Sequence, residues 1–118
     1  MCGIYGATNR DKYLTLQKLN TARGDFCESN MLINNEGFEI HKVPKKSKKE
    51  YKFPKRKKFN LYLGHSQAPT STKRLFDPDT SHPFCVENWI VAHNGVLTNF
   101  KELVNEFQRP YKNTVDSE

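Results

Sequence analysis

The sequence predicts a small α+β domain. Its 118 residues are enough for one domain at most. Two stretches of alternating apolar residues flank short turns, which is typical of β-hairpins, and two other stretches carry apolar residues at helical spacing. The hydrophobic content is 36% and the charged content is 27%. We therefore expect a small hydrophobic core.

The first predicted elements are a strand and a helix. The strand covers residues 3–7. Asp11 is expected to cap the helix, because a short side chain with an oxygen can accept hydrogen bonds from the first turn. The helical pattern ends near Asn20. Its apolar positions are Tyr13, Leu16 and Leu19.

One hairpin is predicted in each half of the chain. In the first, a strand over residues 30–34 reaches a turn at 35–37. It returns through alternating apolar residues, namely Phe38, Ile40 and Val43. The second hairpin runs from residue 85 to residue 92 around a turn at 87–88. Between them a strand at Leu61–Leu63 leads into a loop rich in Ser, Thr and Pro, a composition common in binding loops.

An amphipathic helix is predicted after Asn94 and Gly95. Asn99 and Glu102 form a pair typical of a capping box, and Pro110 is expected to end the helix. Its apolar positions are Phe100, Leu103, Val104 and Phe107. Asn-Gly alone is most typical of a hairpin turn. The helix that follows favours instead a strand-to-helix connection, in which the Asn94 amide and the Gly95 N–H can face a ligand.

The positive charge is concentrated in one segment. The net charge is +6, but residues 42–58 contain ten Lys or Arg and one Glu, which leaves −3 for the rest of the chain. Pro44 and Pro54 discourage a continuous helix. The segment is predicted to be a solvated loop between two strands, with a nucleic-acid or other polyanion contact, or a localisation signal, as alternatives. Three aromatic residues interleave it as they would in a stacking site, namely Tyr51, Phe53 and Phe59.

The cysteines and the hydropathy pattern predict a cytoplasmic protein. Cys2, Cys27 and Cys85 are an odd number at wide spacing, which argues against a disulfide framework and favours a reducing compartment. They lack the paired spacing of a zinc site, so no metal is predicted, and no cofactor either. The chain also lacks a signal-peptide layout and a membrane-spanning apolar run.

The N-terminal Cys2 is the candidate nucleophile. If Met1 is removed, Cys2 carries a thiol and a free α-amino group on the same Cα. The α-amino group has an unperturbed pKa of about 7.7–8.0, so it can serve as the base that a thiol needs. The alternative is a buried first strand that happens to contain a cysteine.

Four separated motifs occur in an order that resembles a known family. They are Cys2–Ile4, Arg23–Gly24, Gly64–Thr70 and His93–Asn99, with Val115–Glu118 at the end of the chain. Together they resemble the class II glutamine amidotransferase domain, an N-terminal-nucleophile hydrolase. The resemblance implies an αββα sandwich of two antiparallel sheets between helical layers. On this interpretation residues 1–118 are a single partial domain with a basic loop inserted at 42–58.

The resemblance implies a glutaminase half-reaction with glutamine as the substrate. Cys2 would attack the side-chain amide, release ammonia, and form a thioester that water hydrolyses to glutamate. Asn94 and Gly95 would supply the oxyanion hole. Arg23 would lie near the nucleophile, and the Asp116 carboxylate would hold the substrate's α-ammonium group. Thr70 and the loop backbone near Ala68 would hold the substrate's carboxylate.

The sequence also departs from the family pattern. Gln67 stands where the family motif Gly-His-x-Arg has an arginine that grips the glutamine carboxylate, so we expect weaker binding, or compensation by a nearby cation or a modified substrate. The residues that follow the Arg-Gly motif, 25–27, also differ from those that family members often have there. The family domain continues beyond its Asp-Ser-Glu motif, whereas this chain stops at Glu118. We therefore expect a fold incomplete at its C-terminus, with the acceptor (synthase) domain or subunit outside this chain.

Two alternative functions remain open at this point. The first is a non-catalytic or differently specific relative with the same fold, which Gln67 indicates. The second is a basic module that makes a weak polyanion contact through residues 42–58.

Overall fold

A four-stranded antiparallel sheet is the larger body of the structure, a computed structural model that describes residues 1–45, 51–69 and 75–108. Its strands are β1 (Gly3–Ala7), β2 (Cys27–Asn34), β3 (Gly37–Pro44) and β4 (Leu61–Gln67), and they lie in the order β1-β4-β2-β3. A second antiparallel ladder pairs β5 (Phe84–Val86) with β6 (Trp89–Val91). The described helices are α1 (Arg10–Asn20) and α2 (Phe100–Phe107).

The register of the sheet brings three chain segments to one end of β4. Gly3 at the start of β1 lies opposite Ser66, and Cys27 at the start of β2 lies opposite Gln67. The β2–β3 hairpin turns between Asn34 and Gly37, which confirms the predicted first hairpin. The end of β4 therefore lies beside the N-terminus of the protein and beside the residues that precede β2.

The core lies between α1 and one face of the sheet, and it is mostly aromatic. Its buried residues are Tyr5, Tyr13, Leu32, Phe59 and Tyr62. A buried tyrosine hydroxyl needs a hydrogen-bond partner. The Tyr13 hydroxyl donates to Asn30 Oδ1 at 2.7 Å. This bond fixes where α1 docks on β2.

The start of α1 differs from the prediction. The helix is capped by Asn9 rather than Asp11, because Asn9 Oδ1 accepts hydrogen bonds from the backbone N–H groups of Asp11 and Lys12 at 3.0 and 3.1 Å. Tyr13 is the buried residue of the helix. Leu19, predicted to share its apolar face, is 70% exposed.

The basic segment 42–58 is not the uniformly solvated loop that its composition predicts. Its aromatic residues pack against the core instead of standing free for stacking, namely Tyr51, Phe53 and Phe59. Lys42 is half-buried, and its Nζ donates to two backbone carbonyls of the segment 78–81 at 2.7 and 2.6 Å. The prediction is right for exposed residues such as Lys55. Residues 46–50 lie outside the described ranges.

The second helix begins where predicted but is capped differently. The Asn99 side chain makes no cap hydrogen bond with any described residue. The Asn99 carbonyl instead accepts from the N–H groups of Glu102 and Leu103 at 3.0 and 3.1 Å. Gln108 follows the helix with a φ of 50°, in the left-handed region typical of helix ends. The predicted stop at Pro110 lies outside the described residues.

The other face of the sheet is covered in part by the segment before β5. Ser29 Oγ donates to the His82 carbonyl at 2.5 Å, and the His82 N–H donates to Gln67 Oε1 at 3.1 Å. Two antiparallel sheets with helices agree with the predicted α+β class at that level. The described ranges contain no helix with the length and apolarity needed to cross a membrane.

Candidate active site

Cys2 lies where the start of β1 meets the end of β4. Its side chain is half-buried, and the Ala68 N–H points at its Sγ at 3.4 Å. Ala68 follows β4 directly, so the pairing of Gly3 with Ser66 is what brings this N–H to the sulfur. The structure thus brings together the predicted nucleophile and one predicted residue of the substrate loop.

Arg23 holds the main chain of Cys2. It ends a short 3₁₀ turn after α1, and its Nε donates to the Cys2 carbonyl at 3.2 Å. Its Nη2 lies 3.6 Å from Met1 Sδ. Arg23 is exposed, so part of its guanidinium remains open to solvent. This arrangement fits a residue that positions the nucleophile from the side.

Gly24 is required by its close contact with β4. A Cβ added at Gly24 would lie 2.4 Å from the carbonyl carbon of Gln67 and 2.6 Å from Ala68 N. The neighbouring Phe26 N–H donates to the Gln67 carbonyl at 3.0 Å. The Arg-Gly pair therefore has two separable functions. Arg23 reaches the Cys2 carbonyl, and Gly24 lets the turn lie against the strand end.

A largely buried ion pair, which no sequence pattern predicted, anchors this turn. Lys45 Nζ lies 3.2 Å from Glu28 Oε2 and donates to the Thr21 carbonyl at 2.9 Å and to the Gly24 carbonyl. The side chains of Lys45 and Glu28 are 14% and 10% exposed. One cation thus joins both ends of the turn that carries Arg23.

The Glu28 carboxylate is held on its other side by two hydroxyl donors. Ser66 Oγ donates to Glu28 Oε2 at 2.9 Å, and the Tyr5 hydroxyl donates to Oε1. Burial, together with the bond to Glu28, raises the pKa of Tyr5 well above its usual range, so Tyr5 acts as a donor. One sequence feature could have identified this group: Glu28 is the one charged residue of β2. Strand alternation places it on the same face as Asn30.

Gln67 is buried in the sheet rather than exposed beside Cys2. Its side chain is on the sheet face covered by the segment before β5, and the residue is 2% exposed. Its Oε1 is occupied by the His82 N–H. In this arrangement the amide holds the covering segment onto the sheet.

Three histidines meet on the same face. The ring centroids of His65 and His82 are 4.8 Å apart, and those of His82 and His93 are 6.4 Å apart. His65 Nε2 donates to the His93 carbonyl at 3.3 Å. Burial lowers the pKa of His65 to about 4, so its ring is neutral at pH 7. The cluster ties the His-Asn-Gly motif to the middle of the sheet.

Asn94 and Gly95 are exposed, and no described residue bonds them to Cys2. The His93 ring covers Gly95 closely, since a Cβ there would lie 2.6 Å from His93 Nε2. The motif is therefore attached to the sheet through His93, while the proposed oxyanion donors remain open to solvent. Two further predicted residues, Thr70 and Asp116, lie outside the described ranges.

The described residues contain no group of three or more His, Cys, Asp or Glu side chains arranged to hold a metal ion. Comparisons with protein-family models, with curated proteins and with solved structures find no significant match to this chain. The assignment to a family is therefore a proposal, argued from the contacts around Cys2.

Proposed function

We propose that the chain is the glutaminase part of a class II glutamine amidotransferase, with Cys2 as its nucleophile after removal of Met1. The contact that carries the proposal is the Ala68 N–H pointing at Cys2 Sγ at 3.4 Å. Arg23, from a third motif, reaches the same residue through its carbonyl. Three motifs far apart in sequence thus meet at one residue, Cys2.

The proposed chemistry needs Cys2 to become the first residue. Met1 is 86% exposed, and its one described side-chain contact is with Arg23 Nη2, so its removal disturbs little. The freed α-amino group lies on the same Cα as the thiol and has an unperturbed pKa of about 7.7–8.0. It can accept the thiol proton near neutral pH.

The reaction then proceeds in two steps. Cys2 Sγ bonds to the side-chain amide carbon of glutamine, the carbon–nitrogen bond breaks, and the thiol proton passes through the α-amino group to the departing ammonia. Water then adds to the thioester carbon, which releases glutamate and restores the thiol. Asn94 Nδ2 and the Gly95 N–H are the proposed donors to the oxyanion in both steps.

The wider arrangement proposed is the αββα sandwich of this superfamily. The sheet with α1 on one face would supply one half of it, and the β5–β6 ladder and α2 would belong to the other half. We further propose a cytoplasmic location, since the three cysteines are free. The ammonia acceptor would be bound by a synthase domain or subunit.

Glutamate release from the processed protein tests the proposal. We expect release with unmodified protein and none with Cys2→Ala, whereas Cys85→Ala, a matched change at an exposed cysteine, should keep the full rate. Intact mass establishes whether Met1 has been removed. Equal rates for both variants, or no release from protein that has lost Met1, would contradict the proposal.

A second candidate is a non-catalytic or differently specific relative, and the buried Gln67 favours it. Gln67 is 2% exposed and its Oε1 accepts from the His82 N–H, so the residue is buried against the covering segment rather than displayed as a carboxylate ligand would be. Thermal unfolding of Cys2→Ala with 10 mM glutamine separates the two candidates. If glutamine binds with a Kd of about 1 mM, 10 mM glutamine would add about 1.4 kcal/mol to the free energy of unfolding. No shift with glutamine would favour the second candidate.

Substitution of Gln67 by arginine is a sharper test than the family pattern alone suggests. The larger side chain would lose the acceptor for the His82 N–H and place a charge in a site that is 2% exposed. We expect Gln67→Arg to destabilise the fold rather than to improve glutamine binding. A lower KM for glutamine at unchanged Tm would instead show an arginine site that is already formed.

A further inference from the structure

The described lysines of the basic segment include two groups with different environments. At its start, Lys42 and Lys45 are half-buried and hold backbone carbonyls. After the core residue Phe53, the side chains of Lys55 and Lys58 are exposed, and neither has an ion-pair or hydrogen-bond partner among the described residues. Structural demands explain the first group but leave the second without a function.

The second group lines a concave pocket. The pocket has a volume of about 320 Å³ and lies where the start of α1 meets residues 53–60. Its cationic lining residues are Arg10, Lys55, Lys57 and Lys58. The fold thus brings an arginine from α1 to join three lysines more than 40 residues away in sequence. Among the described residues, no acidic side chain lines the pocket.

Two of the cations are held in place by aromatic rings in the pocket wall. The Arg10 guanidinium lies 5.4 Å from the centre of the Phe53 ring, and Lys57 Nζ lies 5.6 Å from that of Phe59. Lys57 also pairs with Glu39, which neutralises one of the four charges. The remaining three cations face an open pocket with no described counter-charge.

We propose that this pocket binds the phosphate backbone of single-stranded nucleic acid. A cationic groove is the common feature of proteins that bind single strands without sequence preference. Lys52 and Arg56, both exposed, are next in sequence to the lining residues and add to the positive charge. A volume of about 320 Å³ is at the lower end for a small-ligand site, so it suits one nucleotide unit rather than the face of a duplex. Phe59 and Tyr62 are buried and Arg10 lies over the Phe53 ring, which leaves phosphate, rather than base stacking, as the main contact.

The pocket is separate from the candidate active site. Arg10 follows β1, whereas Cys2 precedes it, so the two sites lie at opposite ends of that strand. We therefore expect nucleic-acid binding to be independent of the thiol. Cys2→Ala should bind a single strand as tightly as the unmodified protein, so either proposal can fail without the other.

Fluorescence anisotropy with a labelled 20-nucleotide oligo(dT) strand tests the site. The double variant Lys55→Gln/Lys58→Gln should weaken binding at least tenfold. Lys18→Gln/Lys101→Gln removes the same charge from exposed positions elsewhere and should change binding less than twofold. Within α1, Arg10→Gln should weaken binding several-fold, and its near neighbour Lys12→Gln should not.

The salt dependence provides a second measurement. Three phosphate contacts to a single strand predict a logarithmic slope near −2, or about a 20-fold loss between 50 and 200 mM salt. Equal losses in both double variants would show that net charge alone is responsible and would overturn the assignment of binding to the pocket. No binding at 50 mM salt, or tighter binding of a duplex of the same length, would overturn the proposal as well. Circular dichroism confirms that each variant is folded.

Discussion

The two parts of the candidate active site, around Cys2 and around Asn94 and Gly95, differ in how many contacts attach them to the fold. Cys2 is contacted by Arg23 from the turn after α1 and by Ala68 at the end of β4. Asn94 and Gly95 are exposed, and their segment is attached to the sheet through His93. The Cys2 end is therefore part of the folded sheet. The proposed oxyanion end can be altered with little effect on the fold.

The largest loss of activity is expected from Asn94→Ala. Loss of one oxyanion donor costs on the order of 10²–10³ in kcat. Because Asn94 is exposed and bonds no described residue, the Tm should stay within about 1 °C of the parent. Thr98→Ala, a nearby exposed change, is the matched control for kcat. A large fall in Tm for Asn94→Ala would remove the contrast between the two ends.

Lys45→Met should lower the free energy of unfolding through a contact at the Cys2 end of the site. The change leaves the Glu28 carboxylate buried without its cation, which costs about 3–5 kcal/mol in other proteins. Urea unfolding should show a loss of that order, and adding Glu28→Gln should recover part of it because the uncompensated charge is removed. If Lys45→Met were neutral, the ion pair would not anchor the Arg23 turn.

The histidine cluster should make stability depend on pH. The pKa of His65 is about 4 in the fold and about 6.5 when unfolded, so the unfolded chain binds more protons between these values and stability falls as the pH falls. Between pH 7 and pH 4.5 the loss from this residue is about 2 kcal/mol. His65→Gln, which keeps a donor for the His93 carbonyl, should lose less stability than the parent over the same range. An equal loss would show that His65 is not the residue responsible.

The smallest effect is expected from Arg23→Gln. The exposed guanidinium makes one hydrogen bond to the Cys2 carbonyl, and such a bond contributes about 1 kcal/mol. We expect a fall in kcat/KM of about fivefold to tenfold with a nearly unchanged Tm. A fall as large as that of Asn94→Ala would give Arg23 a direct role with the substrate.

Local patterns predicted the elements better than they predicted the contacts between them. The first hairpin was predictable because alternation and the turn at Gly37 act over a few residues. The cap at Asn9 was missed because Asn9 and Asp11 both offer a suitable oxygen, and only the backbone path selects one. The Lys45–Glu28 pair depends on the hairpin register and on the turn after α1 together, so no single stretch of sequence specifies it.

The same limit applies to the site. Composition predicted a solvated basic segment, but the core needed Phe53 and Phe59 to fill its edge, which drew part of the segment inward. The meeting of Cys2 with Ala68 follows from the β1–β4 pairing and could be expected only through the family resemblance. Gln67 looked like a substrate ligand by position, yet its side chain faces the covered side of the sheet.

The central claim is that Cys2, freed of Met1, is the nucleophile of a glutamine site. Its most direct test is the reaction of the purified protein with a glutamine analogue that carries an electrophilic carbon in place of the side-chain amide, followed by intact-mass and peptide analysis. We predict one adduct, on an N-terminal Cys2, with Cys27 unreactive because burial raises the pKa of its thiol. The exposed Cys85 should also stay unlabelled, because it has no glutamine site. Labelling of Cys85 in preference to Cys2, or retention of Met1 on all molecules, would contradict the claim.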